Sequence, residues 1–577
     1  MGKRWVEHTL DNHSAIVALQ QSLQIDKILA TLLVQRGVTT FEEARSFFRP
    51  ELGHLHDPFL MKDMNQAIVR IEEAIAANEK ILIYGDYDVD GTTSVALVYR
   101  FLKKIYLDVD FYIPNRYTEG YGISTQGIDY AEENYFSLII ALDCGIKSVD
   151  KIAYANEKGI DFIICDHHLP GDELPDAIRD LDPKRTDCPY PYKELSGCGI
   201  GFKLIHAFAI RNQIHLDNIY CYLDLVAVSI ASDIVPITGE NRVLAWHGLE
   251  HLNTNPCKGL AALKDIAGRK NNYTITDVVF QIGPRINAAG RIDDAKHAVN
   301  LLISDTYDDA IEKSKIINLK NSERKEYDAD ITDQALAMLD HPDYKTRKTT
   351  VVFNENWHKG VIGIVASRLT ETYYRPTVVL TKSNDLVAGS ARSVIDFDLY
   401  EALFACGDLL EQFGGHKYAA GLTMKAENIP LFQQRFEEVV SASITDDLLT
   451  QRILIDAEIN LDQIHAKFIR ILNQLAPFGP QNMAPVFMTK QVYAYGTATL
   501  VGNNHLKMSI KQPNSPIFVS CIGFGLGEYL PAINQGIPFD ICYCIEENIF
   551  REQRSLQLNI KGIKPLLLEQ KQNDIKS

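Results

Sequence analysis

Three short apolar runs, at residues 81–83, 138–142 and 162–165, are each closely followed by acidic or histidine side chains. Stretches with helical patterning lie between them, and this alternation is typical of a parallel sheet with helices on its faces. In open sheets of this kind, ligands bind beyond the carboxyl ends of the strands. The sequence therefore predicts an α/β fold in which the polar groups after the three runs meet at one edge of a sheet.

The first run leads into a D-x-D-x-D turn formed by Asp86, Asp88 and Asp90, which precedes a helix that opens with threonine and serine hydroxyls. Side chains two residues apart on an extended backbone point the same way, so the three carboxylates can converge. Converging carboxylates repel one another unless a cation lies between them, and hard divalent ions prefer such oxygen ligands. The alternative is a solvated acidic turn, since Asp and Gly are common between elements.

Three further clusters complete the set: Asp143-Cys144-Gly145 after the second run, Asp166-His167-His168 after the third, and Ser232-Asp233 after an apolar helix at 223–231. One such cluster alone would indicate little, but four of them at one sheet edge indicate a shared site. A mixture of carboxylates and imidazoles with little thiolate suits Mn²⁺ or Mg²⁺ better than a structural zinc site. About six candidate ligands predict two ions rather than one.

The chain has 577 residues and is 46% hydrophobic, without a long low-complexity tract. A single core stops growing well below this length, so three or four globular domains are expected. No apolar run is long enough to cross a bilayer, and the first residues lack the apolar core of a signal peptide. We expect a cytoplasmic protein that does not bind membranes.

Asp and Glu outnumber Lys and Arg by 75 to 58, which gives a formal net charge of -17. Such a chain cannot bind nucleic acid through its overall charge, so a polyanionic ligand would need a locally basic channel. The ten cysteines include no C-x-x-C pair. This spacing argues against both a structural zinc module and a disulfide framework.

The patterning along the chain predicts a helical lead-in that packs against the first sheet, two α/β domains joined by a charged helical segment, and a C-terminal barrel of short strands. The predicted boundaries are 1–78 for the lead-in, 79–292 for the first α/β domain, 293–348 for the connecting segment, 349–445 for the second α/β domain, 450–565 for the barrel and 566–577 for a polar tail.

The four clusters resemble, in their order and composition, the motifs of the DHH phosphoesterase superfamily. Further segments resemble the RecJ family of single-strand-specific 5′→3′ DNA exonucleases within it: residues 199–203, 283–291, 357–368 and 414–421. The first four motifs indicate only the superfamily, whereas the later ones single out the RecJ family. The resemblance covers nearly the whole chain.

The resemblance implies a DHH domain with a parallel sheet, a long connecting helix, a DHH-associated second α/β domain and a C-terminal oligonucleotide-binding (OB) β-barrel. It implies an exonuclease that releases mononucleotides from single-stranded DNA in repair and recombination, with Mn²⁺ or Mg²⁺ as cofactor. Two ions could activate a water, hold the scissile phosphate and neutralise its charge, so no protein nucleophile is needed. We expect a monomer that acts beside a RecQ-type helicase and a single-strand-binding protein.

We assign as metal ligands Asp86, Asp88, Asp90, Asp143, His167 and Asp233. Asp143, together with Asp88 or Asp90, could bridge the two ions, and the residues assigned catalytic roles are Asp88, Asp143 and His168. The resemblance places His168 beside the ions, in contact with the phosphate or assisting proton transfer. Asp166 is expected to orient an imidazole, as carboxylates near metal sites do. Several superfamily members carry a metal-binding His where this chain has Tyr84, and Asp86 is the expected substitute.

Substrate binding is expected from the second α/β domain, whose segments 389–393 and 414–416 offer backbone amides beside cations. If that domain faces the metal site across a cleft, as in the RecJ architecture, only an unpaired strand could thread between them. The residues assigned to bind nucleic acid are Arg285, Arg291, Arg368, Arg392, Gly414, Gly415, His416 and Lys417.

Two other functions remain open at this point. A DHH phosphodiesterase acting on short oligonucleotides or cyclic dinucleotides would share the metal site but would not need the barrel after Arg452. A catalytically inactive replication scaffold would have lost ligands. Every expected carboxylate and imidazole except the one replaced by Tyr84 is present, which argues against the scaffold.

Overall fold

The computed structural model describes residues 3–513, 515–550 and 553–566 of the chain, so nearly all of the predicted tail lies outside the described residues. Two compact units are present: a larger unit, formed by residues 50–449 and 477–481, and a smaller unit, formed by the described residues of 1–49, 450–476 and 482–577. Among the described residues, no helix is both long and apolar enough to cross a membrane.

The larger unit is built on the predicted parallel sheet, which is confirmed. Its strands, in spatial order, are Val109–Tyr112, Lys80–Gly85, Phe136–Leu142, Asp161–Cys165 and Arg179–Leu181. Alternate residues of each central strand enter two different cores: Ile81 and Ile83 join one, whereas Leu82 and Tyr84 join the other. Because both faces are covered, each of the three central strands contains an uninterrupted apolar run.

Helices cover this sheet and extend the first domain. They are Met64–Ala76, Val89–Lys103, Thr125–Glu133, Val149–Glu157, Gly197–Arg211, Asp217–Tyr220, Leu223–Ser232, Gly239–Thr254, Lys258–Ala267, Ile275–Asp277, Gly283–Ile292 and Lys296–Leu302, with a π-helical segment at Val278–Ile282 and 3-10 turns at Leu52–His54 and Pro58–Leu60.

A helix of 33 residues, Tyr307–Leu339, connects the two α/β domains of the larger unit. Ala310 and Ile317 in its first half are buried in the core of the first domain. Ile331 and Ala335 in its second half are buried in a core of the second domain. The predicted connecting helix is therefore present, and side chains in both of its halves are buried in the domains that it joins.

The second α/β domain has a mixed sheet. Its strands, in spatial order, are Gln412–His416, Ala419–Met424, Leu386–Arg392, Thr377–Ser383 and Thr350–Phe353, and only the last two are parallel to each other. The helices of this domain are Pro342–Lys345, Ile362–Tyr373, Leu399–Phe404 and Ile429–Ser443.

The smaller unit contains the predicted barrel. Its strands are Ala457–Glu458, Phe487–Ala494, Thr499–Val501, His505–Lys511, Phe518–Gly523, Phe539–Phe550 and Gln553–Pro565. Phe487–Ala494 pairs with Phe539–Phe550 and, through Tyr493 and Ala494, also with His505–Lys511, which curls the sheet back on itself without closing it completely. The helices of this unit are His13–Leu23, Lys27–Gln35, Phe41–Phe48, Ala466–Asn473 and Leu530–Asn534.

The first residues do not pack on the first sheet as a single lead-in, and that expectation is wrong for residues 3–49. The strand Arg4–Glu7 instead pairs in parallel with Arg452–Ile455, which places the N-terminal helices in the smaller unit. Only the part from residue 50 onward, including Met64–Ala76, joins the core of the first domain.

A buried ion pair stabilises the first domain away from the sheet edge. Lys203 and Glu240 are at most 1% exposed, and Lys203 Nζ lies 2.6 Å from Glu240 Oε1. Glu240 also accepts hydrogen bonds from the His56 amide and the Tyr190 hydroxyl, at 2.8 and 2.6 Å. The lysine of the 199–203 motif thus joins two helices to the segment around residue 56.

We predict that Glu240→Gln lowers the free energy of unfolding by about 3–5 kcal/mol, because it leaves the buried Lys203 cation uncompensated. The double variant Lys203→Met, Glu240→Gln buries no unpaired charge and should lose markedly less. Urea denaturation followed by circular dichroism measures both. Equal losses in the single and double variants would show that the charge pairing is unimportant.

Candidate active site

The turn with the three aspartates joins the strand Lys80–Gly85 to the helix Val89–Lys103. Asp88 caps this helix, and its Oδ1 accepts a hydrogen bond of 3.1 Å from the Gly91 amide. Asp90 therefore lies in the first helical turn rather than on an extended backbone as predicted. The carboxylates converge all the same, because the chain folds back tightly: a Cβ at Gly91 would lie 2.4 Å from the Asp86 carbonyl oxygen.

Asp90 is held by the amino terminus of a second helix, Gly197–Arg211. Its two oxygens accept hydrogen bonds of 2.7 Å from the amides of Gly197 and Cys198, and Oδ1 accepts another of 2.7 Å from the Ser229 hydroxyl. Free amides and the helix dipole both favour a carboxylate at this position. Asp90 is thus fixed by three donors from elsewhere in the fold.

The other predicted ligands come from three separate elements at the same edge. Asp143 follows the strand Phe136–Leu142 with a left-handed backbone, φ 61°. His167 follows the strand Asp161–Cys165, and its Nε2 lies 3.1 Å from Asp143 Oδ1 and 3.5 Å from Oδ2 of Asp233. Asp233 caps the end of the helix Leu223–Ser232.

The structure brings all six predicted ligands together. In each of three groups, the potential ligand atoms lie within 4.8 Å of one another: Asp86, Asp88 and Asp143; Asp90, His167 and Asp233; Asp143, His167 and His168. Asp143 belongs to two of these groups. His167 does as well, so these two residues connect the three groups.

The chemistry of these atoms fits divalent cations. Both carboxylate oxygens of Asp86, Oδ1 of Asp143 and both ring nitrogens of His167 are buried without a hydrogen-bond partner among the described residues. Burial, followed by the charges of neighbouring aspartates, raises the pKa of Asp86 and of Asp143 well above the usual value. Buried carboxylates that lack donors and repel one another are stabilised when a cation binds between them.

Asp166 and His168 form a separate pair beside this group. The Asp166 carboxylate accepts a hydrogen bond of 2.9 Å from the Ile146 amide, and its Oδ1 lies 2.7 Å from His168 Nδ1. Burial opposes ionisation of both groups, but their mutual hydrogen bond and charge lower the pKa of Asp166 to about 2 and raise that of His168 to about 9. His168 Nε2 lies 3.2 Å from the Tyr121 hydroxyl.

Tyr84, at the position where the resemblance implies a histidine ligand in several superfamily members, does not reach this group. Its ring is fully buried in the core on the other face of the sheet, and its hydroxyl donates a hydrogen bond of 3.0 Å to the Gly122 carbonyl. Asp86, two residues later, supplies the unpaired oxygens instead.

A cationic cavity of about 420 Å³ lies beside the carboxylates in the larger unit, and Tyr87, between two of the predicted ligands, forms part of its wall. The cations that line it are Arg116, Arg291, Lys359 and Arg392. Burial, followed by the positive charges of Arg116 and Arg392, lowers the pKa of Arg291 to about 9. Arginines that disfavour one another's charge in this way create a site for an anion such as a phosphate group.

Three family models match the chain: the DHH family, N-terminal domain, at residues 80–230; the DHHA1 domain at 346–442; and the RecJ OB domain at 455–562. The single-stranded-DNA-specific exonuclease RecJ of Bacillus subtilis (strain 168) is 38% identical over 562 residues, which cover 97% of this chain and 70% of that protein. This chain belongs to the RecJ family.

Other RecJ proteins are similar over comparable lengths. The single-stranded-DNA-specific exonuclease RecJ of Escherichia coli (strain K12) is 31% identical over 564 residues, 94% of this chain and 96% of its own. The crystal structure of RecJ in complex with Mn²⁺ from Thermus thermophilus matches with a TM-score of 0.84 at 26% identity, over 97% of this chain and 79% of that one.

The predicted nucleic-acid-binding residues divide into two sets in this RecJ-family fold. Arg291, Arg392 and Gly414 line the cationic cavity. Gly415 and His416 continue the same exposed strand, and burial, followed by the charges of Arg392 and His168, lowers the pKa of His416. The neighbouring Lys417 is exposed and lies over the Tyr418 ring, 5.6 Å from Nζ to the ring centre.

The remaining two arginines are engaged elsewhere. Arg285 donates hydrogen bonds to the Gln281 carbonyl and the Asn318 side chain, and Arg368 forms an ion pair of 2.7 Å with Asp328. Neither lines the cationic cavity.

Sequence reasoning missed several residues of the site. Arg116 is the most informative, because it follows the strand Val109–Tyr112 and so lies at the same carboxyl edge as the ligands. Applying the strand-end argument to cations as well as to carboxylates would have found it. Tyr121, whose hydroxyl lies 3.2 Å from His168 Nε2, has no comparable signal in the sequence, since tyrosines are common in loops.

The crowded carboxylates predict how the metal-free protein responds to pH. Burial, followed by the charges of Asp90 and Asp88, raises the pKa of Asp233 to about 8. A carboxyl whose pKa is raised on folding stabilises the protein at low pH, and this contribution is lost as the pH rises through the folded-state pKa. In EDTA, we expect the melting temperature to fall by several degrees between pH 5 and pH 8.

Saturating Mn²⁺ should remove most of this pH dependence, because the ion replaces the proton as the compensating charge. Asp233→Asn should flatten the metal-free profile, whereas Asp333→Asn, at an exposed position on the long helix, should not. Differential scanning fluorimetry measures all four profiles, and a wild-type profile that is level without metal would contradict the proposed crowding.

Proposed function

We propose that this chain is a single-strand-specific DNA exonuclease that degrades DNA in the 5′→3′ direction by metal-dependent hydrolysis, in repair and recombination. The observation that carries the proposal is the convergence of buried, unpaired carboxylates and imidazoles around Asp143 beside a cationic cavity. Membership in the RecJ family supports the substrate, since relatives are named as single-stranded-DNA-specific exonucleases. The polarity follows from the family resemblance alone.

The group Asp86, Asp88 and Asp143 would hold one divalent ion, and the group Asp90, His167 and Asp233 would hold a second, with Asp143 between them. Mn²⁺ or Mg²⁺ bound there would activate a water molecule and neutralise the charge that develops on the scissile phosphate. The Thermus thermophilus RecJ structures were determined with each of these ions, which supports the same cofactors here.

The protein's own side chains would then position and neutralise the substrate. His168 is held through Nδ1 by Asp166, so its protonated ring presents Nε2 toward the Tyr121 hydroxyl. We propose that this imidazolium contacts a phosphate oxygen of the bound strand, where a charge-assisted hydrogen bond is strong. Asp166 is a positioning residue in this scheme, because it acts through His168.

The cationic cavity would hold another phosphate of the same strand. Arg116, Arg291 and Arg392 present guanidinium groups there, and Ser390 adds a hydroxyl. Contacts of this kind recognise the sugar-phosphate backbone and carry no sequence information. We therefore expect degradation with little dependence on base sequence.

The barrel of the smaller unit offers a second type of contact. Tyr495 and Phe518 are about half exposed and stack with ring centres 4.7 Å apart, and Lys511 lies over the Tyr495 ring at 5.5 Å. Aromatic rings and cations on such barrels bind the bases and backbone of single strands. Tyr493, two residues earlier on the chain, is partly buried.

The match to a RecJ OB domain at 455–562 favours a polymeric substrate over a short oligonucleotide or a cyclic dinucleotide. The complete set of ligands argues against an inactive scaffold. A monomeric state, a cytoplasmic location, the assigned domain boundaries, and cooperation with a RecQ-type helicase and a single-strand-binding protein stay predictions.

The function is tested with Mn²⁺ and DNA labelled at one end. A 5′-labelled single strand should release its label as a mononucleotide at once, whereas a 3′-labelled strand should release it last. Blunt duplex, dinucleotide and cyclic dinucleotide should be poor substrates. Preferential cleavage of the dinucleotide would overturn the exonuclease proposal in favour of a small phosphodiesterase.

We predict that Asp143→Ala lowers kcat by about a thousandfold or more, because it removes the carboxylate shared by two ligand groups and forfeits several kcal/mol of metal-dependent stabilisation. Binding of single-stranded DNA, measured by fluorescence anisotropy in Ca²⁺, should change little. Asp333→Ala, on the exposed face of the long helix, serves as the control. An equal loss of binding and turnover would contradict the separation of the two sites.

We predict that Arg116→Ala raises the KM for an oligothymidylate by about tenfold to a hundredfold, since a charge-assisted hydrogen bond is worth about 1.5–3 kcal/mol. The dependence of binding on salt should also become shallower, because fewer counterions are released. Arg435→Ala removes an exposed arginine paired with Asp408 and is the matched control. Unchanged KM and salt dependence in Arg116→Ala would exclude the cavity from substrate binding.

A further inference from the structure

A short segment of the chain, Pro477–Gln481, belongs to the larger unit, although the residues on both sides of it belong to the smaller unit. We call this segment the strap. It lies against the turn that follows the predicted ligand Asp233, where the Pro480 carbonyl accepts a hydrogen bond of 2.8 Å from the Ile237 amide. The catalytic scheme described so far gives the strap no role.

Gly479 allows the strap to approach this turn closely. A Cβ at this position would lie 2.5 Å from Cγ1 of Ile237 and 3.6 Å from Cγ2 of Ile275. Both isoleucines are at most 4% exposed and belong to the core of the first domain. Because protein interiors are close-packed, a methyl group added to residue 479 must displace either Ile237 or the strap.

The turn at residues 234–238 is held from two directions. Its Pro236 carbonyl accepts hydrogen bonds from the Asn241 side chain, at 3.1 Å, and from the Tyr192 hydroxyl, at 3.3 Å. Its Ile237 amide is buried with the rest of that residue and finds its acceptor in the strap. A buried amide without an acceptor costs free energy comparable to a lost hydrogen bond, so the turn depends on this contact.

The backbone of Ile234 shows why the turn requires such support. Its φ of 61° lies in the left-handed region, which is unfavourable for a β-branched residue. The Ile234 side chain is 64% exposed, so its own packing does little to hold the residue in this conformation. Unfavourable backbone conformations persist where the surrounding structure fixes them, and here the contacts of Pro236 and Ile237 do so.

Ile234 directly follows Asp233, whose carboxylate is one of the potential metal ligands. Asp233 Oδ2 lies 3.5 Å from His167 Nε2, and these two residues form a ligand group with Asp90. On its amino-terminal side, Asp233 is held by the helix Leu223–Ser232, through a hydrogen bond of 2.9 Å from its amide to the Ser229 carbonyl. On its carboxyl-terminal side, it is held by the turn. A displacement of Ile237 would therefore move this carboxylate.

We propose that the strap is a positioning element for Asp233: it fixes the turn at residues 234–238 and thereby places this carboxylate in the group with Asp90 and His167. The inference rests on the proposed function, because it requires that this group holds a divalent ion. Groups that orient a metal ligand contribute about 10–100-fold to metal affinity without touching the ion. The strap is continuous at both ends with the smaller unit, so the chain that forms the barrel also supports a metal ligand.

The proposal is tested by isothermal titration of the full-length chain with Mn²⁺ in the absence of DNA. The wild type should bind two ions. Gly479→Ala should weaken the binding of one ion about 10–100-fold, because the added methyl group displaces Ile237 and hence Asp233, and should leave the other nearly unchanged. Gly53→Ala is the matched control: a Cβ at this glycine of the larger unit meets no atom within 4 Å, and both ions should bind as in the wild type.

Two double variants separate positioning from a merely structural role. Asp233→Asn should weaken the same ion, and adding Gly479→Ala to it should cause no further loss, because the strap acts through that carboxylate. Ile237→Ala makes room for the methyl group and should recover part of the affinity lost in Gly479→Ala.

Normal binding of both ions by Gly479→Ala, or losses that add in the double variant with Asp233→Asn, would overturn the proposal. Loss of folding in Gly479→Ala, detected by circular dichroism, would also overturn it by assigning the strap to folding rather than to Asp233. If Asp233→Asn binds both ions normally, the metal site itself is wrong and the role of the strap falls with it. A failure of the strap alone is thus distinguishable from a failure of the proposed function.

Discussion

The carboxylate of Asp90 connects more of the fold than any other side chain of the site. Two amides at the start of the helix Gly197–Arg211 and the hydroxyl of Ser229 hold it, so the aspartate turn, that helix and the helix Leu223–Ser232 are fixed relative to one another. The amides can approach because residue 197 is glycine: a Cβ there would lie 2.7 Å from the Cβ of Asp143. The positions of the other predicted ligands depend on this contact. Each of these ligands lies at the end of an element that packs against the aspartate turn or against one of the two helices.

Net charge gives a poor guide to the ligands of this protein. The chain is acidic overall, and five of its 75 acidic side chains converge at the carboxyl edge of the first sheet. Groups of cations line one cavity beside the proposed metal ligands and another in the smaller unit. A polyanion is therefore attracted only at particular places, and the remaining acidic surface disfavours adsorption elsewhere.

The sequence predicts the position of a site residue best where a short apolar pattern identifies a strand and the end of that strand fixes the residue's place in the sheet. Asp143 and His167 could be predicted because uninterrupted apolar runs identify strands, and strand ends share an edge. The pairing of Arg4–Glu7 with Arg452–Ile455 could not be predicted, because the two segments are more than 400 residues apart and neither carries a sequence pattern that indicates its partner. Arg285 and Arg368 were assigned to the substrate because of their charge, yet both form contacts with neighbouring residues that charge alone does not reveal.

The long helix Tyr307–Leu339 has a mechanical consequence for the two α/β domains. At 1.5 Å per residue it spans about 50 Å, and side chains near each end are embedded in different cores. The helix therefore acts as a rigid connection. The rotation of one domain about the helix axis, relative to the other domain, is set by the number of residues between the two buried segments. Each residue advances the helix by about 100°. Inserting one residue between Ile317 and Ile331 would therefore rotate the second domain by about that angle about the helix axis. Inserting seven residues would nearly restore its original orientation, because seven residues make almost two full turns.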